Sequence, residues 1–563
     1  MIAAIVCWFL TTLVFFSFGD IFISLYSKVL KRKESYSFFE TFLIGLCVTG
    51  TIICISSIWL PSDIKIALAL GIISVSYLIT VRRKDIVSKG CATIKSLSPL
   101  QIILIGSAGL LFMLFFLVPP QFPDIYYYHM QNILWNEQYH VVPGLANLEE
   151  RFGFNSNLFL LCSAFGLRLL FGEFVFGINA LCMAFMMIYI VRQANQRQLF
   201  LTALFITVFI PFFMEYKTHI GCSSADLLPN LLIVYLLFTL LTDQQNLRKK
   251  SILFWLIPIF CITLKVSTVF ICLVSLYLLI LLIKEKDYKA TAFICIIALI
   301  VVAPWLVRNV IISGYLIHPY PAVDLFTFDW KLPVEYSIES KRYIESFAIS
   351  YDAMYNSSDY ILDMPLAVKV QKWLGERHPL DICIAGAGLI SPLLMLGALF
   401  RKKGFVKDYS TLLLVWVIGL MGFLFWLVMA PAVRFGYGFI TIIFSIPVYL
   451  LFKDLKNPVR ILSANVLLIA TIAYFGVLSV RYFLIVKEPY VSYTEILYKP
   501  QSIQTRLDKY PVKMEVFNLN NTDFYKPLDG GCYDHALPCS NNYIKNLEMR
   551  GKTLQEGFRE KKN

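Results

Sequence analysis

The chain has 563 residues, 58% of them hydrophobic and only 15% charged, with a mean hydropathy of +0.68. A soluble chain of this length carries roughly a quarter charged residues, so a polytopic helical membrane protein is expected and a soluble enzyme is excluded. The net charge of +13 sits in short segments between apolar runs, such as "SKVLKRKES", "VRRKDIVSK", "RQANQR", "KEKDYK" and "RKKGFVK"; this is the positive-inside pattern of a membrane topology and argues against a nucleic-acid partner.

The opening run "MIAAIVCWFLTTLVFFSFGDIFI" has neither a basic leader nor a small-residue cleavage site, so it reads as a retained first helix. Spans are expected near 2–26, 38–60 and 63–81, with no polar residue of chemical character. Residues 1–99 therefore read as an accessory module, with a junction in the basic stretch 82–95. Eleven further spans are expected near 100–118, 172–191, 199–214, 225–242, 251–264, 266–283, 290–312, 383–400, 409–430, 435–452 and 460–483. The apolar stretch 157–171 is read as lying in the interface. With about 14 spans, every basic loop falls on one side. The opposite, exported side receives the loop 119–157, the turn "EYKTHIGCSS", the long loop 314–380 and the tail from 484.

Residues 100–483 form the expected catalytic core, because all the unusual polar positions lie there. The prolines of "PPQFPD" stop a helix just before Asp124, a carboxylate at the membrane face that is costly to desolvate unless it is used or paired. The following "IYYYHMQNILWNEQ" has helical spacing. Its tyrosines suit a membrane boundary, and the plain reading of His129 and Glu137 is a solvated face. At the next exported turn, "SSAD" places Asp226 after Ser223 and Ser224; an acid there also suits a helix N-terminus. Lys265, Arg308 and Arg434 are cations near exported helix ends, where basic residues are otherwise scarce. Each alone reads as snorkelling or pairing, but three together with two acids point to an anionic ligand such as a phosphate.

Residues 484–563 are polar, and "VKMEVFNL" followed by turns such as "LDGGC" indicates a small exported α+β subdomain with short strands. Eleven of the 13 cysteines lie in or beside apolar spans, where cysteine behaves as a small hydrophobe. Cys532 and Cys539 stand in the tail as a candidate disulfide, which requires an oxidising compartment; a zinc site with His535 is the rival reading. No internal repeat is visible, which counts against a secondary transporter.

The early membrane-proximal acid, together with "PWLVRNVIISGYLIHPYP" at a later helix end, resembles the GT-C fold membrane glycosyltransferases. These include the protein O-mannosyltransferases and the aminoarabinose transferase of lipid A. The stretches "YYYHMQNILWNEQYHVVPGLANLEERFGFNSN", "APAVRFGYG" and "CYDHALPC" are also similar to a bacterial family of uncharacterised polytopic membrane proteins, over about residues 100–563. The resemblance implies a polyprenyl-phosphate-linked sugar donor, a glycan, lipid or protein acceptor, and a bacterial inner membrane with the site and C-terminus facing the periplasm. It makes Asp124 the catalytic base of an inverting single displacement. Lys265, Arg308 and Arg434 would hold the lipid phosphate, and Tyr127, His129, His219 and Asp226 would bind substrate. The first loop reads Asp-Ile-Tyr, not Asp-x-Asp, so no metal ligands are assigned and a divalent cation has only weak support. The loop 314–380 is long enough to form a lid of amphipathic helices. Two alternatives stand beside the transferase: an O-antigen-type polymerase or ligase, for which Asp124 would matter little, and a lipid-linked sugar transporter, which would carry its cations deep in the spans.

Overall fold

A computed structural model describes residues 1–82, 98–118, 120–194, 199–401, 409–453, 461–486, 498 and 511–561. It is a helical bundle in which nine helices, among the described residues, are long and apolar enough to cross a membrane. Six shorter apolar helices accompany them, Asn157–Phe171 included. The architecture is that of a multi-pass membrane protein with a small C-terminal β-subdomain.

Local chemistry sets many helix ends. Ser37 and Glu40 form a reciprocal capping box that starts the helix Phe38–Ser56, and Ser98 with Gln101 does the same for Pro99–Phe116, which has proline at its first turn. Asp287 caps Tyr288–Ser313 by accepting from the Ala290 N–H at 3.0 Å. That helix ends at Gly314, whose φ of 80° lets its N–H reach the Val310 carbonyl.

The first two helices cross backbone to backbone. A Cβ on Gly19 would stand 1.9 Å from the Thr41 carbonyl oxygen and one on Gly45 only 1.5 Å from that of Phe15, so glycine is required at both positions. Residues 1–82 are not a detachable unit. One continuous apolar core runs from Ala3 to Phe475 and includes side chains of all three early helices. Ser57 and Ser62 also exchange backbone hydrogen bonds with Val141 and Asn136.

The stretch 157–171 divides in two. Leu169 and Leu170 are exposed, whereas every residue of Asn157–Phe165 is buried, with Asn157 bonded to the Thr263 hydroxyl at 2.9 Å, so this half of the stretch packs within the bundle. His129 and Glu137 are likewise buried, and Glu137 is paired with Arg168. The plain reading of a solvated face fails because Ile125–His129 and Met130–Gln138 are covered from both sides, by the bundle and by the C-terminal subdomain.

That subdomain has two antiparallel pairs, β1 (Met514–Leu519) with β2 (Thr522–Pro527) and β3 (Leu547–Met549) with β4 (Phe558–Glu560). Asn520 and Asn521, both with positive φ, make the two-residue turn of the first hairpin, the conformation such a turn demands. Cys532 and Cys539 form a disulfide, which retires the zinc reading. The subdomain shares its core with the rest of the chain: Phe524, Met549 and Phe558 pack with Trp135, Phe152 and Tyr315. The loops 119–157 and 314–380 thus gather with it at one end of the bundle, called here the loop face.

Candidate functional site

Four of the charged residues singled out in the sequence meet at the loop face. The prolines and Phe122 turn the chain so that Asp124 opens a π-helical turn, Ile125–His129. Asp226 precedes the helix Leu227–Thr242, Lys265 follows Ser251–Leu264, and Arg434 lies in the first turn of Val433–Phe452. Lys265 pairs with Asp226 through Oδ1, while the Arg434 Nε lies 3.4 Å from the other oxygen of that carboxylate. A terminal nitrogen of Arg434 comes within 4.0 Å of Asp124.

The two acids therefore differ in kind. Asp226 is held by two cations, and only 10% of its side chain is open. Asp124 has one loose neighbour and keeps 34% of its side-chain surface open. Burial by the surrounding protein raises the Asp124 pKa above the usual carboxylate value; Arg434 opposes this and the nearby Asp226 charge reinforces it.

Arg434 is fixed by its backbone. Its carbonyl accepts from the Tyr216 hydroxyl at 2.6 Å and from the Asn230 amide at 3.0 Å, and Asn230 also binds the Asp226 carbonyl at 2.8 Å. The guanidinium lies 5.2 Å from the Phe122 ring centroid and 5.0 Å from that of Phe435, and the Lys265 ammonium is 3.8 Å from Phe435. Such faces attract a cation without neutralising it.

His129 and His219 flank the cluster and are tied to the same turn. The His219 Nδ1 lies 2.6 Å from the Ser224 hydroxyl, and His129 Nδ1 lies 3.5 Å from that of Ser223. Both rings pack on Phe122. Burial lowers the His129 pKa to about 3, so its ring is neutral at physiological pH. Tyr127 is exposed, and its side chain makes no hydrogen bond among the described residues; its neighbour Tyr128 packs against His129 and lies 5.7 Å from the Arg151 guanidinium.

Arg308 does not join the cluster. Only 2% exposed, it donates to the Ser57 hydroxyl and the Asn136 side-chain oxygen, both at 2.7 Å, and to Asn155 at 3.2 Å. These bonds knit four segments together and leave it a buried structural cation, which corrects its assignment to phosphate binding. The physical reason is direction: Arg308 projects from its helix toward Ser57 and Asn136, not toward Arg434.

Several contributors were missed. Glu215 stands beside Asp381 and within electrostatic reach of Arg434 and Asp226. Asn179 ties the serine turn by donating to the carbonyls of His219, Cys222 and Ser224; a lone asparagine in an apolar helix was the available signal. The long loop supplies the amphipathic helices Val334–Ile349 and Leu366–Glu376, as expected. Phe347 approaches Arg434 at 6.0 Å, and the Trp373 indole donates to the Pro431 carbonyl at 2.8 Å. Among the described residues, no group of three or more His, Cys, Asp or Glu side chains is arranged to hold a metal ion.

Comparison with curated proteins and with solved structures returns no match. Residues 1–441 match the family described as "Domain of unknown function (DUF8201)", so the first three helices and the cluster lie within a single family unit, and the chain belongs to that family.

Proposed function

We propose that the chain is a membrane glycosyltransferase with GT-C-like organisation and about 14 membrane passes. It moves a sugar from a polyprenyl-phosphate donor to an acceptor hydroxyl at the loop face. In this reading the membrane is a bacterial inner membrane, and the loop face is periplasmic. The acceptor oxygen attacks the anomeric carbon while the bond from that carbon to the phosphate oxygen breaks. The lipid phosphate leaves with the bonding electrons, the hydroxyl proton passes to Asp124, and the configuration inverts.

The supporting observation is the contrast between the two acids. Asp226 is consumed by Lys265 and Arg434, whereas Asp124 remains partly open with a raised pKa, the condition of a better general base. Positioned help of this kind is worth about 10²–10⁴-fold in rate. Arg434 and Lys265 would meet the charge that develops on the phosphate, and His129, His219 and Tyr127 would line the sugar path. The helices of the long loop would close over both substrates.

The test is native mass spectrometry of the wild type and Asp124→Asn purified from native membranes. A polyprenyl-phosphate sugar retained on the variant and turned over by the wild type supports the reading. The absence of any polyprenyl lipid from both proteins would sink it.

A further inference from the structure

A cavity lies at the other end of the bundle, where the basic segments cluster. It measures about 900 Å³ and opens between the end of Ile2–Leu30, the turn around Lys249 and the helices Cys272–Lys284 and Tyr288–Ser313. Its floor is apolar, formed by Leu278, Leu281, Leu282 and Ile294, and its mouth carries Arg32, Lys33, Arg248, Lys249 and Lys250.

Positive-inside topology accounts for basic residues here but not for a cavity beneath them, nor for how its acids are used. Glu34, in the wall, receives four donors: the Tyr26, Tyr36 and Ser251 hydroxyls and the Ser251 N–H. Its oxygens are fully engaged within the protein. Lys250 is paired with the enclosed Glu40. Lys33, by contrast, is exposed and has no ion pair among the described residues; Arg248 is paired with Glu285, also in the lining, but keeps 58% of its side chain open. Arg32 and Lys249 are paired with Asp287 and Asp243, so Lys33 is the cation at the mouth with no acid beside it among the described residues.

A second observation is an unpartnered donor in the wall. Trp255 lines the cavity and is fully buried, yet its indole N–H has no hydrogen-bond partner. A buried donor left unmade is costly and marks a place where an acceptor belongs.

We propose that this cavity binds the phosphate headgroup of an anionic membrane phospholipid. Lys33 and Arg248 hold the phosphate, a headgroup or ester oxygen accepts from Trp255, and the first methylenes of one acyl chain rest on Leu278, Leu282 and Ile294. The site is separate from the Asp124 cluster and does not depend on the transferase reading.

The experiment is native mass spectrometry of the full-length, detergent-purified protein. It is titrated with phosphatidylglycerol, with phosphatidylcholine, and with phosphatidylglycerol in the presence of excess inorganic phosphate. Phosphatidylglycerol is expected to bind preferentially, with affinity falling about tenfold in Lys33→Ala/Arg248→Ala and several-fold in Trp255→Phe, whose ring still fills the space. Equal binding of both lipids, or unchanged affinity in these variants, would overturn the proposal and leave the cations a topological role only. Displacement by inorganic phosphate would overturn the lipid as occupant in favour of a soluble phosphate.

Discussion

The Tyr533 backbone N–H donates to the Tyr126 carbonyl at 3.0 Å, and their rings pack 4.6 Å apart. Residues 407 positions apart in the chain thus join the C-terminal disulfide loop to the turn that begins at Asp124. Gln131 adds two bonds, to the carbonyls of Tyr533 and His535. A Cβ on Gly531 would stand 2.4 Å from the Tyr126 carbonyl oxygen, so the contact tolerates nothing larger than glycine.

Removing the disulfide with Cys532→Ser/Cys539→Ser should therefore loosen the turn as well as the tail. Closing a short loop contributes about 2–3 kcal/mol in the chain-entropy account. Hydrogen exchange of peptides covering 124–135 should accelerate in this variant. Unchanged exchange there would show the loop to be a bystander.

Arg308→Met should destabilise the protein more than Arg434→Met. The first change strands acceptors on Ser57, Asn136 and Asn155 inside the bundle, a loss of at least about 3 kcal/mol by the usual worth of charged hydrogen bonds. Thermal unfolding in detergent gives the order; equal midpoints would contradict the structural assignment of Arg308.

Asp226 and Lys265 should be coupled. Asp226→Asn alone leaves two neighbouring cations without their shared acid, whereas Asp226→Asn/Lys265→Met removes one of each charge. A double-mutant cycle on thermal stability should return an interaction of about 1–3 kcal/mol, with the double variant less damaged than the sum of the singles.

Glu149 gives a pH dependence. It is fully buried, accepts from the Ser540 hydroxyl at 2.7 Å and lies 3.3 Å from Arg151. Burial raises its pKa from 4.5 to about 7, Arg151 opposes the rise and Glu150 adds to it. Because the folded value exceeds the unfolded one, folding is favoured most below about 4.5, and that contribution fades as pH climbs to about 7. Glu149→Gln should flatten the slope of thermal stability between these values and raise stability at pH 8 by on the order of 1–3 kcal/mol. An unaltered pH profile would show that Glu149 titrates as an ordinary surface acid.

The sequence alone determined the elements with a local cause. Apolar runs of helical length, the basic segments between them, the short strand at "MEVFNL" and the Cys532–Cys539 pairing were all legible, because each depends on neighbouring residues; the hairpin turn at Asn520 and Asn521 was not. So was the recruitment of Asp124, Asp226, Lys265 and Arg434, since charges are expensive at these positions and stand out. The tertiary structure alone decided which way each helix turns. In a membrane bundle the lipid-facing and core-facing sides are both apolar, so periodicity does not reveal the rotation of a helix about its axis. That is why Arg308 looked like Arg434 in the sequence yet faces Ser57, Asn136 and Asn155. It is also why Asn157–Phe165 proved buried, and why Glu215 joined the cluster unannounced.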